Sequence, residues 1–479
     1  MLSPVEFPDF KGLDLRVDAQ QASGAVDLQN VIFDVDGVVR TRDGLDGFVS
    51  TIGNPFEMVA WPGRSIVVYT TGVNVVVKDT GGSGAGGSTA TADFVAQVVP
   101  TDEDTAYTIT SFDVVKKLTS AGVYTAPAGL PTGTCIALQS PDSRLVVGNA
   151  GGNDGRVAFS DPAAPETFGA NNYVTVPSQR TIYALVNWND LLFAFTSEEF
   201  YVFYGNSATP DPATGTSIVD FNFRLVSGTV GIRSDGDHLN RLAVAATDGV
   251  YFVNDYGVFH TTGGPAKKVS GPLDPLFNED RVPSYWQGGV PAFDRLRTDG
   301  RRLYLRSSAS TGSWFMYDIQ SGVWTFWVFA DGSLLVPGQL FAPVGTDTER
   351  RLVVAGPGVD NLRVSDPTAT SDDGTAIVSR YRSGFWNPGQ PGTESVVREW
   401  LLDGTGTVNF QTAVNDAVTL GSAASVALGT SPAVAQGRDR RAVKGRNVSF
   451  QVGAASGAWS LSRVVANVAG SKGAGEKSS

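Results

Sequence analysis

The feature that most constrains the fold is a hairpin unit that recurs through most of the chain. Short runs of β-branched and aromatic residues are bounded by turn residues and come in pairs, as in Leu191–Phe195 with Phe200–Tyr204. Runs of this length and composition are typical of β-strands. The sequence therefore predicts an all-β fold. The paired runs begin at Ser65, Arg144, Asp190, Arg241, Arg302 and Arg351.

A hairpin repeated in this way cannot bury its apolar face alone and must stack against its neighbours. For antiparallel sheets the usual solution is a propeller, so we expect a six- or seven-bladed ring of hairpin blades. The alternative is a set of unrelated hairpins in two sandwiches. Changes in composition and strand pattern along the chain predict four parts. These are an N-terminal arm or docking strands (1–50), a propeller-like body (51–372), a C-terminal β-sandwich (373–468) and a flexible tail (469–479).

Charge and composition exclude several functions. The chain has 36 basic and 48 acidic residues, a net charge of −12, which disfavours conventional binding to nucleic-acid phosphate. Cys135 is the only cysteine, and His238 and His260 are the only histidines, so disulfides within the chain and cysteine-rich metal sites are excluded. We expect no cofactor and no bound metal. Without a long apolar run or a leader-like start, we also expect no membrane span and synthesis in a cytoplasm.

One motif suggests an enzyme. Val31–Val39 resembles the nucleophile strand of haloacid-dehalogenase-type phosphatases, in which Asp34 and Asp36 would be nucleophile and general acid. Asp372 and Asp373 would be the later metal-binding pair. That family needs a parallel sheet with crossover helices, whereas the residues after Val39 have the pattern of β-strands and not of a helix. We therefore interpret the Asp-Gly at 36–37 as a hairpin turn and expect no enzymatic activity.

An arginine cluster is a candidate interaction site. Arg295, Arg297 and Arg301 alternate with leucines, together with Arg302 and Arg306. This alternation indicates solvent-facing positions on strands, with a subunit contact or a phosphate site as alternatives.

The N-terminal arm carries a more specific pattern. Phe10–Arg16, Ser23–Val31 and Asp36–Gly44 are similar to the opening of many tailed-phage structural proteins, in which a Gly-x-Asn/Asp-x-Arg segment precedes an Asn-Val strand and a Gly-x-x-x-Arg-x-Arg-x-Gly hairpin. Asn187–Gly205 and the hairpin at Asp248–Val253 resemble the β-propeller body of phage tail hub or nozzle proteins.

This resemblance implies a structural virion protein of the tail, made in the host bacterial cytoplasm. Several copies would form a ring around the tail channel for genome retention and ejection. Its neighbours would be the portal or adaptor and tail fibres or a needle, and phage DNA would pass without sequence-specific binding. The alternative is a minor tail or baseplate protein of a long-tailed phage, including a carbohydrate-binding host-recognition module. That module would draw on Trp314, Trp324, Trp327, Trp386 and Trp400.

The arm also predicts an assembly role. Its apolar anchors, among them Phe10, are too sparse for a self-contained core, and small β-units need outside partners. Because an open sheet edge offers unpaired backbone groups, we expect the arm to close its own propeller or to lace onto a neighbouring subunit. Arg40 and Arg42 are then expected to pair with carboxylates.

Overall fold

The protein is all-β in a computed structural model, with short 3₁₀ helices at Ala150–Gly152 and Gly271–Phe277. The structure describes residues 2–469 except 8–9, 17–23, 35–37, 51–56, 62–65, 71–73, 80–87, 91–94, 103, 111–113, 140–142, 211–216, 234–240, 279–292, 308–312, 330–335, 339–352, 356–360, 367, 373, 389–393, 415–419, 429–435 and 440–441.

Six four-stranded antiparallel sheets follow one another along the described residues, and we number them blades 1 to 6. Blade 1 contains β6 (Glu57–Trp61), β7 (Ile66–Thr70), β8 (Asn74–Asp79) and β9 (Ser88–Ala90); blade 2 contains β10 (Val95–Pro100), β11 (Thr105–Thr110), β12 (Val115–Thr119) and β13 (Tyr124–Thr125); blade 3 contains β14 (Cys135–Gln139), β15 (Arg144–Gly148), β16 (Arg156–Phe159) and β17 (Tyr173–Thr175). Blade 4 contains β18 (Ala184–Trp188), β19 (Leu191–Phe195), β20 (Phe200–Pro210) and β21 (Ser217–Ser227); blade 5 contains β22 (Ala243–Ala246), β23 (Gly249–Asn254), β24 (Gly257–Thr261) and β25 (Lys267–Lys268); blade 6 contains β26 (Phe293–Thr298), β27 (Arg302–Ser307), β28 (Ser313–Asp318) and β29 (Val323–Val328).

The seventh blade combines distant parts of the chain. It consists of β30 (Val336–Gly338), β31 (Val353–Ala355), β32 (Asn361–Asp366) and, as its fourth strand, β5 (Gly44–Ser50). β5 pairs antiparallel with β32 from Gly44 opposite Asp366 to Ser50 opposite Asn361. The arm thus closes the propeller of its own chain, which is the first of the two alternatives expected from the sequence. The two-residue strands β33 (Ser371–Asp372) and β34 (Thr375–Ala376) lie beyond β5.

The blades form a ring because the first strands of successive sheets are neighbours. β6 contacts β10, β10 contacts β14, and the series continues through β18, β22 and β26, while β30 returns to β6. The first strand of each blade therefore faces the axis, and the last faces outward. Middle strands such as β23 and β28 are buried along their whole length because blades pack on both of their faces.

The C-terminal β-sandwich also takes strands from the arm. Its two sheets share the 20-residue strand β36 (Ser395–Val414), so that the whole is a nearly closed, barrel-like arrangement. One sheet contains β1 (Leu2–Glu6), β3 (Val31–Phe33), β4 (Val39–Thr41), β38 (Gln436–Asp439), β39 (Val443–Gly445), β41 (Ser460–Ala469) and the first half of β36 (Ser395–Val414); the other contains β2 (Ala25–Gln29), β35 (Ser379–Ser383), β37 (Ala424–Leu428), β40 (Val448–Ala454) and the second half of β36.

Residues 1–50 therefore do not form a unit of their own. β1 to β4 complete the sandwich, and β5 completes the propeller. One continuous apolar core runs from Phe7 and Trp400 in the sandwich to Phe252 and Phe315 in blades 5 and 6. The expected flexible tail lies outside the described residues, apart from Ala469 at the end of β41.

Candidate functional site: the clasp between arm and propeller

The arm lies along β29, the outermost strand of blade 6. Leu13 donates its backbone N–H to the carbonyl of Trp324 (2.8 Å), and Asn30 donates to the carbonyl of Phe326 (2.8 Å). β29 is thereby covered by backbone from the arm instead of facing solvent. These contacts fix the sandwich against the propeller.

Asn30 connects three segments at this boundary. Its side-chain Oδ1 accepts hydrogen bonds from the Val328 N–H (2.8 Å) and from Arg42 Nε (3.1 Å), and its Nδ2 donates to the Val378 carbonyl (2.8 Å). The backbone of Asn30 is left-handed, with φ of 53°, a conformation that asparagine tolerates better than most residues. A single side chain therefore joins arm, blade 6 and sandwich.

Arg42 and Asp372 form a buried ion pair next to Asn30. Arg42 Nη1 lies 2.9 Å from Asp372 Oδ1, and Nη2 lies 2.5 Å from Oδ2, so the pair is bidentate. Both side chains are 1% exposed. Nη1 also donates to the Asp43 carbonyl (2.9 Å). Such a pair tolerates burial only when the remaining donors are satisfied, as they are here.

Two aromatic rings complete the surroundings of the guanidinium. The Arg42 Cζ atom lies 5.7 Å from the Trp327 ring centroid and 4.7 Å from that of Phe329, within the range of cation–π attraction. We name the set Asn30, Arg42, Asp372, Trp327 and Phe329 the clasp. The sequence predicted a carboxylate partner for Arg42, and Asp372 is that partner.

The other candidate residues of the arm are structural as well. Arg40 pairs with Asp34 (3.1 Å) and Asp43 (2.8 Å) at a partly exposed position. Phe10 packs in the sandwich, with its ring centroid 5.7 Å from that of Phe7 and 5.2 Å from that of Tyr381. Burial raises the pKa of Tyr381, so this phenol stays neutral in the core.

The arginine cluster does not face solvent as a whole. Arg295 is buried, which corrects the expectation from its alternation with leucines. The reason is that β26 is the first strand of its blade, packed on both faces, and a bulge between Phe293 and Arg295 breaks the alternation. Arg297 is half-buried and donates to the Leu296 carbonyl (2.8 Å). Arg301 is the exposed member.

Arg301 lines a cavity of about 550 Å³ between blades 5 and 6, together with Thr247, Asp299 and Arg302. The Asp299 carboxylate accepts from the Arg301 and Arg302 backbone N–H groups (2.9 and 2.7 Å) and from the Tyr304 hydroxyl (2.8 Å). Asp299 is therefore committed to the hairpin. Arg301 and Arg302 each lie 3.7 Å from Asp318, so the positive charge of these two arginines is partly balanced by a neighbouring carboxylate.

In the phosphatase-like motif, the described carboxylate Asp34 belongs to a hairpin. Asp34 donates its backbone N–H to the Val38 carbonyl (2.9 Å), as a residue closing the β3–β4 hairpin does, and its carboxylate binds Arg40. Asp36 and Asp373 lie outside the described residues. Asp372, the other member of the supposed metal pair, is occupied by Arg42. Among the described residues, no group of three His, Cys, Asp or Glu side chains is placed to hold a metal ion.

The tryptophans considered as a glycan platform are all buried, with at most 8% of each residue exposed. Their rings pack in blade 6 and in the sandwich, as aromatic residues on strands commonly do. Cys135 is buried too, as a small apolar residue of blade 3. These buried side chains are Trp314, Trp324, Trp327, Trp386, Trp400 and Cys135.

The sequence indicated Arg42 as a candidate site residue, included Asn30 only in the resemblance without a role, and did not indicate the role of Asp372. Asn30 had a signal, since an asparagine between two strands suits a left-handed turn. Asp372 lies 330 residues from Arg42, and no local pattern indicates that pairing. No helix in the described part of the chain is long and apolar enough to cross a membrane.

No family model and no curated protein matches the chain. Among solved structures it is similar to BamB from Moraxella catarrhalis (14% identity, 68% of this chain and 95% of that one, TM-score 0.39). It is also similar to BBS1N in complex with ARL6DN (12% identity, 71% and 99%, TM-score 0.43) and to YCF48 bound to D1 peptide (12% identity, 68% and 97%, TM-score 0.40). Likenesses this remote carry no argument about function.

Proposed function

We propose that this chain is a non-enzymatic structural subunit of a tailed-phage tail, several copies of which form a ring around the channel. One observation carries the proposal. Four of the residues on which the arm resembles tailed-phage structural proteins, Gly12, Asn30, Arg42 and Gly44, fasten the arm. The shared pattern is then a mechanical device, which suits a virion component better than a catalyst.

Both glycines are required by close approach of the backbone. A Cβ on Gly12 would collide with the Val323 side chain and the Trp324 carbonyl of β29. A Cβ on Gly44 would collide with the Ser371 carbonyl, next to Asp372 of the clasp. These two positions of the pattern therefore belong to the same fastening as Asn30 and Arg42.

The strand connections support a role under mechanical load. β5 closes the propeller, and β1 pairs with β41 from Leu2 opposite Ala469 to Glu6 opposite Val465. Pulling on either end must therefore break a ladder of backbone hydrogen bonds. The net charge of −12 is a second argument. Several copies in a ring would present a strongly negative surface that repels DNA, so that a genome could pass through the channel without binding to it.

The ring can be tested on the purified 479-residue chain by mass photometry and negative-stain electron microscopy. We expect closed particles of several copies with a central opening, alone or after addition of a phage portal–adaptor complex. Particles that stay monomeric or dimeric under both conditions would contradict the proposal.

The non-enzymatic part has a separate test. Hydrolysis of p-nitrophenyl phosphate with Mg²⁺ should not exceed the background of a mock purification, and Asp34→Asn should not change it. A magnesium-dependent rate that Asp34→Asn abolishes would overturn this part, because Asp34 would then be a nucleophile and not a residue of a hairpin paired with Arg40.

A further inference from the structure

In the part of the chain that the structure describes, most outer edges of the propeller are short or are covered by another segment. The last strands of blades 1, 2, 3 and 5 (β9, β13, β17 and β25) are only two or three residues long. In blade 6 the arm covers β29, and in blade 7 β33 lies beside β5. Short or covered edges are the usual protection against edge-to-edge association.

Blade 4 is the exception. Its last strand, β21, has 11 residues, and within the described part of the chain it pairs only with β20. The β20–β21 ladder continues past a bulge after Tyr204 to Pro210 opposite Ser217. Asn222, Arg224 and Leu225 on β21 are exposed, Leu225 by 52%. A long uncovered edge that exposes an apolar side chain is a site for strand addition.

The sequence of β21 indicates which strand fits there. Ser-Ile-Val-Asp-Phe-Asn-Phe-Arg-Leu-Val-Ser has almost the same pattern in both directions about Asn222. In an antiparallel self-pairing centred on Asn222, Arg224 stands opposite Asp220 of the second copy, and Asp220 opposite its Arg224. The remaining opposed residues are Phe223 with Phe221, Leu225 with Val219, Val226 with Ile218 and Ser227 with Ser217.

Only this register matches charge with charge. Moving the centre to Phe221 or Phe223 sets Arg224 opposite Ile218 or Asn222, and leaves both charges without an opposite. Opposed aromatic pairs and opposed opposite charges are the favourable cross-strand pairs of antiparallel sheets. Arg224 already donates to the Gly263 carbonyl (2.6 Å), but a guanidinium has five N–H donors, which leaves others for a carboxylate.

We infer that two copies of this chain associate through β21, joining two four-stranded blades into one eight-stranded sheet across a two-fold axis. An 11-residue antiparallel pair adds about ten backbone hydrogen bonds. The contact is isologous and closes on two copies, whereas a ring needs a head-to-tail contact. It therefore goes beyond the proposed ring, and either one can fail without the other.

Charge reversal tests the register in the full chain. Sedimentation velocity of the wild type should show a reversible monomer–dimer equilibrium. Arg224→Asp and Asp220→Arg should each weaken the dimer on the order of tenfold or more, because each places like charges opposite one another twice. The double variant should recover most of the wild-type affinity. Two equally impaired single variants with no recovery in the double variant would overturn the register.

Two further variants separate a surface effect from a folding effect. Lys444→Asp reverses an exposed charge in the sandwich (67% exposed) and should leave dimerisation unchanged. Replacing residues 205–221 by an Asn-Gly turn between Tyr204 and Asn222 should give a monomer with the melting temperature of the wild type. The inference would be refuted by a wild type that is still monomeric at about 100 μM. It would also be refuted by a shortened variant that still dimerises.

Discussion

Blades 4 and 6 both end in a long outer strand, and the chain treats the two strands differently. β29 of blade 6 is covered by Leu13 and Asn30 and backed by the clasp, whereas β21 of blade 4 has no strand beyond it among the described residues. Where the edge is covered, the covering segment brings a buried ion pair and an asparagine in a left-handed conformation. The edge of β29 is therefore used within the chain, whereas the edge of β21 remains for association with another molecule.

The largest effect should follow from removing the cover. Deleting residues 1–43 takes β1 to β4 from the sandwich and exposes β29 as a second long edge. We expect loss of cooperative thermal unfolding, followed by circular dichroism, together with aggregation. Replacing residues 205–221 by a short turn is the matched control on blade 4, and thermal unfolding of this variant should stay cooperative. An unchanged melting temperature in the deletion variant would show that the arm does not stabilise the fold.

The next effect concerns the ion pair of the clasp. Asp372→Asn leaves the Arg42 charge buried without a counter-charge, and breaking a buried pair in this way costs about 3–5 kcal/mol. The double variant Arg42→Met with Asp372→Leu should regain most of that free energy of unfolding in urea. As a control, Arg40→Gln removes a partly exposed pair and should cost no more than about 1 kcal/mol. Equal losses for Asp372→Asn and Arg40→Gln would show that the clasp is not desolvated.

Asn30 should come third. Asn30→Ala removes the acceptor of the Val328 and Arg42 donors and places alanine in a left-handed conformation, which we expect to cost about 2–3 kcal/mol. Asn30→Gly keeps the backbone conformation and should cost less than Asn30→Ala in the same urea titration. If glycine is the worse of the two, the backbone conformation does not contribute.

The smallest effect is a pH dependence of stability whose sign differs between a carboxyl group in the sandwich and one in blade 3. Burial raises the pKa of Asp27 in β2 although Arg380 lies 2.7 Å away, so its contribution to stability is present below the unfolded pKa and is lost as pH rises through the folded pKa. The Lys117 hydrogen bond lowers the pKa of Glu166 in blade 3, so that contribution is present above the unfolded pKa and is lost as pH falls through the folded one.

Melting temperatures between pH 3 and 7 check these signs. Asp27→Asn should gain on the wild type as pH rises from about 4, and Glu166→Gln should gain on it as pH falls below about 4. The Glu166 effect should be the weaker of the two because its side chain is 38% exposed. Parallel curves for both variants would contradict the assignment of one carboxyl to a buried site and the other to solvent.

Much of the propeller could be predicted because its strands pair with their sequence neighbours. The run Leu191–Phe195 is β19, and Arg302–Arg306 falls within β27. Blade 2 was missed, since its strands contain polar residues such as Lys116 and Lys117 and give little apolar signal. The division of the arm could not be predicted either. Pairing of β5 with β32 and of Arg42 with Asp372 depends on the closed ring, and a local pattern carries no information about it.

Because strands from the two ends of the chain pair with each other, the order of synthesis limits the order in which the chain can fold. Arg42 is synthesised 330 residues before Asp372, which at a synthesis rate of about 5–20 residues per second is a wait of roughly 15–70 seconds. β3 and β4 can pair with each other at once, but β5 has no partner until β32 has been made, and β1 has none until β41 has been made. The sparse apolar content that keeps the arm from folding alone also keeps it soluble during that interval, and ring closure becomes one of the last steps of folding.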